Sequence, residues 1–354
     1  MRRKIYQELL QWKQRSGESA LLVQGARRVG KSYIVEAFAK AEYKSYILID
    51  FNLVDQPVKE MFEHDLVDLK TFFMKLTTYY GVKLYERESL IIFDEVQLFP
   101  RARSAIKYLV ADGRYDYIET GSLISIRENV KDILIPSEED HVDMYPLDFE
   151  EFLWANGNDT MMDFIRDCYR KKAPLGQALH RKAMDLFRQY LIVGGMPQAV
   201  NAFVKHNDFD EVDRVKRRIL NLYRDDIRKH AKGYEMKVEA IYDEIPSQMK
   251  NQNQHFKLSS LKQGARFDEY KDAMFWLSDA MIVNHCYNAT EPTFGLNLNR
   301  DRTLLKCYMG DTGLLISHAF DENGIVTGEV YKKLLLDKLE VNMGMVMENM
   351  VAQM

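Results

Sequence analysis

Residues 19–33 read Ser-Ala-Leu-Leu-Val-Gln-Gly-Ala-Arg-Arg-Val-Gly-Lys-Ser-Tyr. An unbroken apolar run predicts a strand, the residues from Lys31 onward predict a helix, and between them Gly25, four residues, Gly30, Lys31 and Ser32 form the pattern of a phosphate-binding loop in its required strand–loop–helix setting. The glycines let consecutive backbone N–H groups curl toward phosphate oxygens, and the helix N-terminus adds partial positive charge. Lys31 is expected to neutralise the β- and γ-phosphates, and Ser32 to offer its hydroxyl to Mg²⁺. The expected binding residues are Gly25, Ala26, Arg27, Arg28, Val29, Gly30, Lys31, Ser32 and Tyr33.

Outward from the loop, β-rich apolar runs alternate with helical patterns as far as about Leu123: SYILIDFN (45–52), SLIIFDE (89–95), a helix over Ala102–Ala111, then YDYIETGS (115–122). This is the rhythm of βαβ units and a parallel sheet. The runs LLV, ILI and LIIF are apolar without alternation, which predicts central strands covered on both faces.

The run at 89–95 ends in Asp94 and Glu95, and an apolar strand that ends in two carboxylates resembles a Walker B motif. In that reading Asp94 holds Mg²⁺ and Glu95 polarises the attacking water. Thr120 and Ser122, at the polar end of the next strand, are positioned by sequence to reach the γ-phosphate or that water, a place resembling sensor 1; ordinary capping of a strand-to-helix turn explains either residue equally well. The expected catalytic set is Glu95, Lys31 and Ser122, and the expected metal ligands are Ser32 and Asp94.

Composition restricts the classes open to the chain. Its 354 residues predict two or three domains, and 46% hydrophobic with 29% charged residues is an ordinary globular balance. Forty-nine Lys and Arg against 53 Asp and Glu give a net charge of −4, so a nucleic-acid surface has to be local. Three scattered cysteines, no secretory signal and no apolar run near the roughly 20 residues of a membrane span point to the cytosol, with no membrane partner.

After Pro146 amphipathic helices follow, interrupted by the turn-forming VGGMPQ (193–198); then helices precede the β-like stretches MIVNHCY (281–287) and TLLKCYMGD (303–311), a winged-helix pattern. The basic stretch holding Arg214, Lys216, Arg217, Arg218, Arg224, Arg228, Lys229 and Lys232 reads either as a solvated helix face or as a contact for duplex DNA. A protein partner or homo-oligomer is open as well.

Taken together, GARRVGKS, LIIFDEVQ, IETGS, YPLDFEEF and VGGMPQAV resemble the prokaryotic AAA-family P-loop ATPases of the origin-recognition and STAND-related branch, and LYRDDIRK, FWLSDAMIV and KCYMGDTGLL match that family's middle portion. The resemblance implies an α/β fold with an AAA-type parallel sheet core, followed by a helical lid and a winged-helix domain: core 1–155, lid 156–235, winged helix 236–320, and 321–354 the start of a truncated nuclease-like domain containing Glu348. It implies ATP and Mg²⁺ as cofactors and hydrolysis that drives or reports a conformational state, with an ATP-held DNA- or protein-binding switch of negligible turnover as the rival. One departure stands out. Family members often carry an arginine just before the Pro-Leu-x-Phe-x-Glu-Phe block, whereas here no Arg lies between Arg127 and Pro146; Arg103, Arg114 and Arg127 are the nearest substitutes, each expected to be a solvated surface residue.

Overall fold

A computed structural model of the chain describes residues 1–15, 17–122, 137–251, 253–291, 295–320 and 343–354. The fold divides into two compact units, Arg3–Tyr145, and Pro146–Met354 together with Met1–Arg2.

In the first unit α1 (Ile5–Gln14) precedes β1 (Ala20–Gly25), α2 (Lys31–Glu42), β2 (Ser45–Asp50), α3 (Gln56–His64), α4 (Leu69–Tyr80), β3 (Ser89–Asp94), α5 (Pro100–Asp112), β4 (Asp116–Gly121) and β5 (Glu139–Met144). The strands form one parallel sheet in the order β2-β3-β4-β1-β5. Every residue of β3 and β4 is buried, as expected for strands covered on both faces. One expectation needs correction: β2, with its ILI run, lies at the sheet edge rather than in the centre, and only Ile47 and Ile49 of it are fully buried, in alternation. On one face Phe51, Phe62, Phe72, Phe93 and Phe99 interlock edge-to-face or stacked, with ring centroids 5.1–6.0 Å apart, geometries in which ring edges meet ring faces favourably. β5 has no apolar run to announce it, because Glu-Asp-His-Val-Asp-Met is an edge strand whose alternate residues face solvent.

The second unit is helical: α6 (Phe149–Ala155), α7 (Met161–Lys171), α8 (Gln177–Val193), α9 (Pro197–His206), α10 (Phe209–His230), α11 (Glu235–Lys250) and α12 (Phe267–Asp279) lead to the antiparallel hairpin β6 (Val283–Ala289) and β7 (Arg300–Met309), then α13 (Thr312–Ala319) and α14 (Met343–Gln353). Asp148 and Glu151 close a reciprocal capping box on α6, satisfying N–H groups that a helix start leaves without partners. The Val-Gly-Gly-Met-Pro turn is clasped from below: buried Asp311 accepts from the N–H of Gly195 at 2.5 Å and of Leu314 at 2.9 Å. A Cβ on Gly194 would stand 2.2 Å from the Asp311 carboxylate, so only glycine fits there.

Candidate functional site

The loop between β1 and α2 has the conformation its glycines permit. Gly30, which caps α2, has φ +98°, and Arg28 also lies at positive φ, +72°. A Cβ on Gly25 would come within 2.3 Å of the Met144 carbonyl oxygen on β5, so the loop can start here only because the residue has no side chain. Ala26 and Val29 are buried, while Arg27, Arg28 and Tyr33 are exposed. Arg3, which sequence reasoning missed, secures the loop from behind: its guanidinium donates to the Val29 carbonyl at 3.1 Å and to the Tyr145 carbonyl at 2.6 Å. Its only sequence signal is a charged residue just ahead of α1, which does not distinguish it from Arg2 or Lys4.

Lys31 is only 7% exposed, and its ammonium donates to the carbonyls of Gly25 and Ala26, each at 3.0 Å. Burial lowers its pKa to about 8, with the nearby carboxylates Glu95 and Asp94 opposing the shift. From the end of β3, Asp94 receives the Ser32 hydroxyl at 2.8 Å and the Thr120 hydroxyl of β4, so loop, acidic strand end and the strand between them meet at one carboxylate. Thr120 also accepts the Glu95 N–H at 3.4 Å. Glu95 sits at positive φ, +53°, and Gln97 donates to its carboxylate; the Asp-Glu-x-Gln spacing was the available signal for Gln97. Ser122 is half-buried at the last described residue of its segment.

Ser32 and Asp94 supply a hydroxyl and a carboxylate 2.8 Å apart, an all-oxygen pair suited to Mg²⁺, which commonly takes one or two protein ligands and fills its octahedron with water and phosphate oxygens. The donor set therefore fits the metal. Among the described residues no group of three or more His, Cys, Asp or Glu could hold a metal ion by itself.

The arginines require correction. Arg103 is not solvated: it is 3% exposed and holds Glu139 through two contacts, at 2.8 and 3.3 Å. Beside that pair Glu119 is fully buried, and its pKa is pushed well above the usual carboxylate range by burial and by the neighbouring Glu139 carboxylate. Arg114 clasps Asp112 at 2.6 and 2.8 Å and covers the Phe73 ring. Arg127 lies outside the described residues.

In the second unit the basic stretch is open only in part: Arg218, Lys229 and Lys232 are exposed, while others are buried or paired. Lys216 is fully buried and donates to the Ile192 carbonyl at 2.8 Å; Arg217 pairs with Asp213 at 2.6 Å, Arg224 with Asp243 at 3.1 Å and Arg228 with Glu239 at 2.8 Å. Glu348 on α14 is engaged by Lys306 and, at 2.8 Å, by the Tyr308 hydroxyl. Among the described residues no helix is long and apolar enough to cross a membrane.

Comparison with known proteins gives two family matches and several structural likenesses. No curated protein matches the chain. Similar solved structures include the Aeropyrum pernix ORC1 protein in complex with DNA (10% identity, 92% of this chain and 94% of that one, TM-score 0.31), C. elegans PCH-2 (13%, 61% and 68%, 0.34) and Drosophila ORC bound to DNA (12%, 88% and 92%, 0.33). TM-scores this far below 0.5 carry no argument. Residues 184–323 match a domain of unknown function (DUF8612). Residues 17–153, which carry the glycine loop, the acidic strand end and all five strands of the α/β sheet, match the AAA domain.

Proposed function

We propose that the chain is a Mg²⁺-dependent ATPase, built on the AAA domain of residues 17–153. The observation that carries this reading is the convergence of Lys31, Ser32, Asp94 and Thr120 at the mouth of a loop whose glycines cannot be replaced without a clash or strained φ. In this reading the N–H groups of residues 26–33 line the phosphates, and Lys31 exchanges its two loop carbonyls for β- and γ-phosphate oxygens. When bound, Mg²⁺ supplies charge that offsets the phosphate oxygens. Ser32 and Asp94 hold it; Thr120 orients the Asp94 carboxylate. Glu95, aimed by its left-handed backbone and by Gln97, accepts a proton from the attacking water. Ser122 stays a candidate for contacting that water from the end of β4.

The same reading assigns residues 156–235 to a helical lid and 236–320 to a winged-helix-like domain, supported by the helix pairs and the β6–β7 hairpin. It places the protein in the cytoplasm. The rival, an ATP-held switch with negligible turnover, draws support from the engagement of Arg103 and Arg114 with carboxylates of their own unit, which leaves neither available to stabilise a transferring phosphoryl group. Phosphate release from ATP under single-turnover conditions, with and without duplex DNA, separates the two. Release that requires Mg²⁺ supports the enzyme, whereas bound ATP recovered intact supports the switch.

A further inference from the structure

Besides the exposed Arg218, Lys229 and Lys232 of the basic stretch, the second unit carries a further cationic surface that the charge pattern did not suggest. From Ile245 to Phe267 there is no acidic residue, although 53 in 354 would put about three in a stretch this long; the segment holds Lys250, Lys257, Lys262 and Arg266. All four side chains are exposed, and among the described residues none has a carboxylate partner, in contrast to Arg217, Arg224 and Arg228 of α10. The segment runs from the last turn of α11 through the connection to α12, and the buried Gln248 side chain ties the two parts together. The Gln248 amide donates to the Lys257 carbonyl and, at 2.8 Å, to the Ser260 hydroxyl, while its oxygen accepts from the Lys257 N–H and from Asn253, each at 3.0 Å. Cationic side chains on a backbone already tied down by these hydrogen bonds lose less conformational entropy when they meet a polyanion.

We infer that this turn, through Lys250, Lys257, Lys262 and Arg266, binds the sugar–phosphate backbone of duplex DNA without reading its sequence. Lys and Arg interleaved with exposed Asn251, Gln254 and Ser259 is the side-chain mixture that contacts phosphate and sugar. The turn's aromatic residue, Phe256, is buried, which disfavours an anionic membrane, since insertion needs an exposed apolar anchor. The helix that follows sets the limit on recognition. α12 opens with exposed Asp268 and Glu269, and Asp272 follows one turn on, so phosphates flanking a groove repel it; the contact runs along the backbone through the turn. The inference is independent of the ATPase reading.

Fluorescence anisotropy of the full chain with a labelled 20-base-pair duplex, without nucleotide, tests it. With four phosphates neutralised, affinity should fall with a log–log salt slope of about −3 to −4, roughly a hundredfold loss between 50 and 200 mM salt. The variant Lys250→Gln/Lys257→Gln/Lys262→Gln/Arg266→Gln, shown folded by circular dichroism, should bring the slope close to zero, each single substitution lowering it by about 1. Two unrelated duplex sequences should bind within about threefold of each other, and Arg181→Gln/Lys182→Gln on α8 should bind as the parent does. No binding at 50 mM salt, a quadruple variant indistinguishable from the parent, loss of binding in the α8 variant instead, or displacement of the duplex by phosphatidylserine vesicles at equal phosphate concentration overturns it.

Discussion

Two lysines in this chain are buried to the same effect. Lys31 in the first unit and Lys216 in the second are both held at a pKa of about 8, and in both the leading cause is removal from water. Their surroundings differ. Lys31 donates to two carbonyls of its own loop beside Ser32 and Asp94, at the open end of the sheet. Lys216 donates to Ile192 from the middle of α10, with Asp213 and Asp311 beside it and no exposure to solvent. A depressed lysine pKa therefore marks burial, and what the ammonium faces decides whether the residue serves a ligand or a core.

The largest expected separation between the two comes from removing the cation. Lys216→Ala leaves the Ile192 carbonyl without its donor and the buried Asp311 carboxylate without the ammonium beside it, while Asp213 keeps Arg217, so it should lower the free energy of unfolding by about 3–5 kcal/mol, measured by urea denaturation. Lys31→Ala should instead leave stability unchanged or raised and weaken ATP binding by about a hundredfold or more in calorimetric titration, since the phosphate charge loses its compensating ammonium. If the two variants exchange effects, the distinction between them fails.

Alkaline titration sharpens the comparison from the core side. Lys216 binds its proton less tightly in the folded chain, at about 8, than at the ordinary lysine value of 10.5. Between those pH values the unfolded chain holds more protons, and stability rises with pH. Replacing it with Lys216→Met should remove up to about 1.4 kcal/mol per pH unit from that rise, read from denaturation curves between pH 8 and 10. A smaller effect belongs to the site. Thr120→Val takes one hydroxyl from Asp94 and one acceptor from the Glu95 N–H, and should weaken Mg²⁺-ATP binding by about tenfold, near 1.4 kcal/mol; unchanged binding would remove Thr120 from the site.

Much of the first unit is legible in the chain because its signals are local. The glycine loop, the apolar strands β1, β3 and β4 and the carboxylates ending β3 are each contained within about eight residues. What escaped reading depends on partners far away in sequence. Arg3 acts through Val29 and Tyr145, and Arg103 through Glu139. β5 is a polar edge strand that exists only because β1 offers it hydrogen bonds. β2 looks central because its apolar residues are contiguous, but sheet order is a property of pairing and not of the segment itself. On α10 the excess of positive charge was visible, while the burial of Lys216 and the pairing of Arg217, Arg224 and Arg228 were not.

The most direct test of ATP hydrolysis at this site is Glu95→Gln, which keeps the side chain's shape and removes its basicity. ATP binding in the presence of Mg²⁺ and single-turnover phosphate release are measured on the same preparation. Hydrolysis at Glu95 predicts binding within about twofold of the parent and release slowed by at least about tenfold, toward the hundredfold or more typical of a lost general base. Release at the parental rate would contradict it, because the proton of the attacking water would then leave through another group.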